Sequence, residues 1–318
     1  MLARCQMRVG QTHQAIAAYG KIVSLQPRSV RGHLGLADVY LQTNELALAQ
    51  RSIDRALELS PGLTKAQGQA IAVAVRRKQF DAALDVARNM QAQRPADAVG
   101  YAQEGEIEML RGRWDAAVMV LRKALDKQAP GGAALKFYLA LVRGGATEAE
   151  QFAARWLKRH PRDIGFLFNL GDSAQVRGNN AVAEQRYQQI LALLPDHVLA
   201  LNNLAMLYIQ LKKPGTTALA KRAVRNAPDQ PALLDTLAQA HAYDNDFKQA
   251  IAVQQRAVAL AHDEGTLLLS LARYQLQAGG NAQAKAALDK LARKGQQFAQ
   301  QDEVARLQKS LVSSSPGR

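Results

Sequence analysis

Histidines, cysteines and paired carboxylates are the side chains that could carry catalysis or hold a metal, and here they are scattered. None of the six histidines (His13, His33, His160, His197, His241 and His262) stands at a metal-ligand spacing from another histidine, a cysteine or an acid on one helical face. Cys5 is the only cysteine, so no intrachain disulfide can form and thiol content says nothing of the redox compartment. Met1-Leu2-Ala3-Arg4 ahead of it is neither long nor apolar enough to precede a lipidated cysteine, and no signal peptide is visible. No phosphate-binding glycine loop and no nucleophile–base arrangement can be read. The expectation is a non-enzymatic chain with no cofactor and no metal.

The chemistry that does recur is that of binding. Asn169, Asn203, Thr236 and Ser270 occupy equivalent slots of a repeating unit. Phe168, Asp172, Asn202, Met206, Asp235, Gln239 and Arg273 flank them at helical spacing, with Leu34 and Asp38 in an earlier copy. An asparagine side chain offers both donor and acceptor, which suits a peptide backbone or sugar hydroxyls. The bland alternative is a set of solvated helix residues.

The unit that must position them is clearest from Phe166 to Pro195. Leu167, Leu170, Gly171 and Ala174 share one face of a first helix. Gly178 ends it, since glycine suits the left-handed conformation at a helix terminus. Ala183, Tyr187, Ile190, Leu191 and Leu193 then form the apolar face of a second helix, and Pro195 stops it. Closing prolines recur at Pro27, Pro61, Pro95, Pro161, Pro195 and Pro228, with gaps of 34, 34, 66, 34 and 33 residues and Pro130 inside the long gap. The turn slot reads Gly10, Asn44, Lys78, Gly112, Gly144, Gly178, Lys212, Asn245 and Gly279. The small-residue slot reads Ala15, Ala49, Ala83, Ala117, Ala149 and Ala183, then Ala250 and Ala284.

This period, with its Leu-Gly pair, Ala-x3-Tyr pair and closing proline, resembles the tetratricopeptide repeat. The resemblance implies an all-α, right-handed solenoid of about nine helix–turn–helix repeats. Residues 1–312 would form a single superhelical domain and residues 313–318 a disordered tail. It also implies that first helices line a concave groove where a protein or peptide partner lies. The candidate contacts are then Phe168, Asn169, Asp172, Asn202, Asn203, Met206, Asp235, Thr236, Gln239, Ser270 and Arg273. Grooves of this kind that clamp a C-terminal carboxylate carry Lys, Asn and Arg on consecutive first helices. Here the same slots hold mainly Asn, Asp, Thr and Gln, with Arg273 alone, which argues against that clamp.

A narrower resemblance lies in residues 135–311. LNNLAMLY, PALLDTLAQAH and the closing LARYQLQAGGNAQAKAALDKLARKGQQFAQQDEVARLQKSL are similar to the C-terminal end of tetratricopeptide lipoproteins of the PEP-CTERM exopolysaccharide/exosortase system. LKFYLALVRGGATEAEQFAARWLKRHPRD also looks like that family. It implies a scaffold, periplasmic or outer-membrane-associated, working in bacterial polysaccharide secretion or protein sorting. A cytoplasmic adaptor is the runner-up.

Charge adds a third possibility. The 318 residues carry a formal net charge of +14 and a pI near 10.0, which admits anionic partners. The bases fall mostly on second helices and turns, as Arg76-Arg77-Lys78, Arg122-Lys123, Lys158-Arg159, Lys212-Lys213 and Lys221-Arg222. A basic outer face binding a polyanion is the reading they permit, although nucleic acid is not favoured, and a solvated face is the plainer one. No apolar run approaches the ~20 residues of a membrane span.

Four local expectations complete the picture. The first repeat enters halfway through its opening helix at Leu2-Ala3, so upstream repeats are expected to precede Met1. The fifth repeat, opened by Pro130-Gly131-Gly132, shortens the period by two, which predicts a shorter first helix. Pro214 is expected in the first turn of a second helix. A helix through Val304, Leu307 and Leu311 should cap the last repeat, because a solenoid end needs a polar outer face.

Overall fold

A left-handed residue recurs at nearly constant spacing, and the helix pairs are built around it. In the computed structural model φ is positive at Asn44, Lys78, Gly112, Gly145, Gly178, Lys212, Asn245 and Gly279. At one such turn the Asn179 N–H donates to Ala174 O at 2.8 Å and the Gly178 N–H to Gln175 O at 3.0 Å. Those bonds satisfy carbonyls that the helix end leaves without intrahelical donors. The turn in the fifth repeat therefore sits on Gly145, not on Gly144 as expected from spacing.

The structure describes residues 11–129, 131–262 and 264–313. Leu2, Ala3, Cys5 and Gly10 of the incomplete first repeat, Pro130, and the tail beyond Ser313 lie outside them. Among the described residues there are eighteen α-helices and no strand. The first nine are α1 (Thr12–Leu25), α2 (Val30–Gln42), α3 (Leu46–Leu59), α4 (Thr64–Arg76), α5 (Phe80–Gln93), α6 (Val99–Leu110), α7 (Trp114–Asp126), α8 (Gly131–Arg143) and α9 (Ala149–Arg159). The others are α10 (Ile164–Val176), α11 (Asn180–Leu193), α12 (Val198–Gln210), α13 (Thr216–Asn226), α14 (Pro231–Tyr243), α15 (Phe247–Leu260), α16 (Gly265–Gln277), α17 (Asn281–Ala292) and α18 (Gln301–Ser313). From α1 to α9 and from α11 to α18 consecutive helices pack on one another, as in an α-solenoid.

Two local expectations are corrected. Helix α8 has 13 residues, like most first helices, and the shorter element of the fifth repeat is α9, with 11. The five-residue turn Gly144–Glu148 takes up chain that a second helix uses elsewhere. Pro214 lies before α13, not in its first turn; Gly215 follows at φ 86° and the helix starts at Thr216.

The chain divides into two compact units, residues 1–166 and 167–318. In the first, rings gather around α8 and α9. Phe152 meets Phe137 edge-on at 4.7 Å, Trp156 lies 6.0 Å from Phe152, and the Trp156 indole donates to Asp163. Between α5 and α6 a buried carboxylate is added to the apolar packing of Leu84, Ala87, Met90 and Ile107. Buried Glu104 accepts from Arg88 Nε at 3.0 Å and Gln91 Nε2 at 2.6 Å, and the guanidinium is held above its usual pKa by that bond.

In the second unit the small-residue slot shows its purpose. Tyr187 and Ala183 are fully buried, and a carbon added at Gly171 would lie 2.9 Å from Tyr187 Cε1. Repeat seven lacks the alanine; Thr216 fills the slot, 1% exposed, with its hydroxyl donating to Lys213 O. At the far end Val304, Leu307 and Leu311 of α18 cover Leu268, Leu271, Leu288 and Leu291. We expect Tyr187→Ala to cost about 3–5 kcal/mol, since it opens a cavity in a site that cannot collapse freely. Urea unfolding of the full chain followed by circular dichroism measures this, and a cost under about 1 kcal/mol would contradict the packing.

Candidate functional site

The two faces of the second unit differ in how their helices meet. First helices α12 and α14 touch, as do α14 and α16, whereas α13, α15 and α17 do not approach one another to that degree. Closer spacing on one side puts the first helices on the inner face. Every candidate contact from Phe168 to Arg273 belongs to this unit.

Side chains in the candidate set are not equally available. Phe168 is half-buried, its ring 6.1 Å from Tyr187 and 6.0 Å from His197. Asn169 and Ser270 are half-buried and Asp172 is exposed. Asn202 is 9% exposed, with its Nδ2 3.5 Å from both Asn203 Oδ1 and Met206 Sδ, and its Oδ1 has no hydrogen-bond donor. Asn203 Nδ2 donates to the Tyr187 hydroxyl at 3.4 Å, and that hydroxyl donates to Gln175 at 2.9 Å. Met206 stays 43% exposed. Leu199, also exposed, shares a helical face with Asn202 and Met206 by its i, i+3, i+7 spacing.

Further along, the expected polar row is interrupted. Thr236 is 3% exposed and its hydroxyl donates to Ala232 O within its own helix. Asp235 accepts from Gln239 Nε2 at 2.6 Å and from buried Gln254 Nε2 at 2.7 Å. Arg273 makes two bonds to Glu303 of α18, at 2.9 and 2.7 Å, which ties the capping helix down. The structure thus brings Phe168 and Asn203 together through Tyr187, pairs Asp235 with Gln239, buries Thr236 against its own helix and commits the partly exposed Arg273 to Glu303. Sequence reading missed His197, Gln254 and Glu303. Their contacts cross between helices, which a single-helix period does not reveal.

In the first unit Leu34 is buried and Asp38 pairs with Lys65 at 2.6 Å. Both line a cleft of about 1110 Å³ with Tyr19, Ile22, Leu25 and Val30.

The titratable groups with shifted pKa values lie in packing contacts and ion pairs. Burial pushes the Tyr187 hydroxyl up against its Asn203 bond, and the Asp172 charge adds to the effect. Burial likewise raises Tyr274, with Asp235 contributing. His241 is buried and held below its usual value by desolvation, as expected of a core histidine. Lys213 bonds Glu184 at 2.5 Å and holds that carboxyl down, while Arg122 pairs with Glu148 at 2.7 Å. Among the described residues no three His, Cys, Asp or Glu side chains are grouped to hold a metal, and no helix is long and apolar enough to cross a membrane.

Comparison with known proteins agrees with this geometry. The tetratricopeptide repeat family matches residues 1–64 and 168–231. Cellulose synthase operon protein C of Pseudomonas fluorescens (strain SBW25) is 39% identical over 61 residues, 19% of this chain and 5% of that protein. Tetratricopeptide repeat-containing protein trd-1 of Caenorhabditis elegans is 27% identical over 179 residues, 56% of this chain and 23% of its own length. The chain thus spans less than a quarter of either relative. Among solved structures, the C-terminal part of a TPR repeat-containing protein from Cytophaga hutchinsonii superposes with a TM-score of 0.58 at 14% identity, covering 74% of this chain and 97% of that one. Pseudomonas aeruginosa pilF gives 0.51 at 19% identity, covering 70% and 98%. At these identities the likeness is one of fold.

The raised phenols set a pH dependence. A phenol whose folded pKa exceeds its unfolded value keeps its proton longer in the folded chain. Its stabilising contribution is complete below the unfolded pKa of about 10 and is lost as pH climbs through the folded value. Tyr274→Phe should therefore flatten the alkaline loss of stability, read from urea midpoints between about pH 8 and 11. An unchanged slope would mean that Tyr274 ionises as readily folded as unfolded.

Proposed function

Proceeding from a chain of tetratricopeptide repeats, we propose that it is a non-catalytic scaffold whose inner helices in residues 167–318 receive an extended segment of a protein partner. The observation that carries this is the stripe Leu199, Asn202 and Met206 on α12, flanked by Phe168 and Asn203. It combines exposed apolar surface at Leu199 and Met206 with the half-buried amide of Asn203 beside it. An extended backbone offers donors at regular spacing, and Asn can pair with them.

The setting we propose is the bacterial cell envelope, in polysaccharide export or protein sorting, at the periplasmic side or the outer membrane. Two features support it: the likeness of residues 135–311 to PEP-CTERM-system lipoproteins, and the 61-residue similarity to cellulose synthase operon protein C.

The test places a photo-crosslinking amino acid at Met206 on the inner face, or at exposed Arg256 on α15, in the full chain. A discrete adduct in bacterial envelope extract from position 206 and not from 256 is the expected outcome. Asn169→Ala with Asn203→Ala should weaken that adduct, because unpaired buried polar groups cost about 1–3 kcal/mol each. If heparin instead binds with an affinity that collapses as salt rises, and Lys221→Glu with Arg225→Glu abolishes it, the outer basic face is the binding surface.

A further inference from the structure

The chain is strongly basic, yet its basic residues avoid the inner face of the second unit. The chain has 41 lysines and arginines, but α10, α12 and α14 contain none. Their acidic residues are Asp172 and Asp235, and the second helices behind them carry Arg186, Lys221, Arg222, Arg225, Lys248 and Arg256. The next inner cation, Arg273, is committed bidentately to Glu303.

The hydrogen-bonding state points the same way. Asp172 makes no ion pair among the described residues, and Asp235 is held by two neutral amides. Among the described residues, the buried side-chain atoms without a partner on the inner helices of the second unit, Asn202 Oδ1 and Gln275 Oε1, are acceptors and are sealed from solvent. Asn202 lies on the helix between those that carry the two aspartates, at 9% exposure. Two aspartates without a cationic partner among the described residues make this a face that a positively charged occupant complements. The half-buried Phe168 ring adds a surface on which a guanidinium can stack.

We infer that the inner face of residues 167–318 takes an extended, lysine- or arginine-bearing protein segment. Cationic side chains of that segment reach Asp172 and Asp235, and its apolar atoms lie on Leu199 and Met206. This rests on the inner-face reading above and gives that reading a charge. The basic outer helices repel such a segment and leave the inner face as its place of contact, while the net charge of +14 slows its approach.

The experiment uses three fluorescein-labelled decapeptides with blocked ends: alternating Lys-Ala, Glu-Ala and Ser-Ala. Each is titrated with the full chain by fluorescence anisotropy at low and moderate salt. The Lys-Ala peptide should bind most tightly, and Asp172→Asn with Asp235→Asn should weaken it at least about tenfold. Lys221→Glu with Arg225→Glu on the outer face should not weaken it. Asp172 is exposed, so Asp172→Asn alone, expected to weaken binding severalfold, decides the matter if the double variant melts early. Tighter binding of Glu-Ala, no binding of any peptide, or a Lys-Ala affinity unmoved by the aspartate changes overturns the proposal. If Ser-Ala binds as tightly as Lys-Ala and is weakened by Asn203→Ala, the charge preference falls and the inner-face site stands.

Discussion

Close approach of two helices at a small residue is the constraint on which the structure rests. Ala183 and Gly171 leave room for Tyr187, and the ring fills the gap completely. The alanines at equivalent positions elsewhere are all buried. Where the slot holds threonine, at Thr216, the hydroxyl is returned to the backbone, so no donor is stranded. Each pair can cover its apolar face only by stacking on the next, and the array has no need of a central core.

That mode of packing sorts the polar residues. Lysines and arginines on second helices and turns can bridge adjacent elements, as Arg122 does to Glu148, Lys213 to Glu184 and Arg222 to Asp196. These partly exposed pairs contribute little stability singly, but they fix where positive charge stands. First helices α10, α12 and α14 carry no lysine or arginine and present aspartates, amides and exposed apolar side chains. The inner face thereby acquires a chemistry opposite to the net charge of the chain.

The same network explains why the inner face is firm. Tyr187 joins Gln175 on one helix to Asn203 on another, and Gln254 joins Asp235 to the backbone of Leu267. Side chains anchored by such bonds lose little further freedom when a partner arrives, which lowers the cost of binding.

Helix order, the turn positions apart from the fifth, the alanines of the small-residue slot and the capping helix were legible in the sequence. Each depends on local periodicity and on residues whose conformational preferences are strong: glycine or asparagine at a left-handed turn, alanine at a close contact, proline at a helix end. The candidate face was legible for the same reason, because helical spacing decides which residues point together. Tertiary structure decided which of them are available. It moved the fifth turn from Gly144 to Gly145, shortened α9 in place of α8, buried Thr236 against its own helix, and gave Arg273 to Glu303 some thirty residues on. It also left Asn202 Oδ1 without a donor. A period specifies the direction of a side chain, but its partner comes from another helix whose distance is set by packing. Availability therefore follows from neighbours that no single repeat contains.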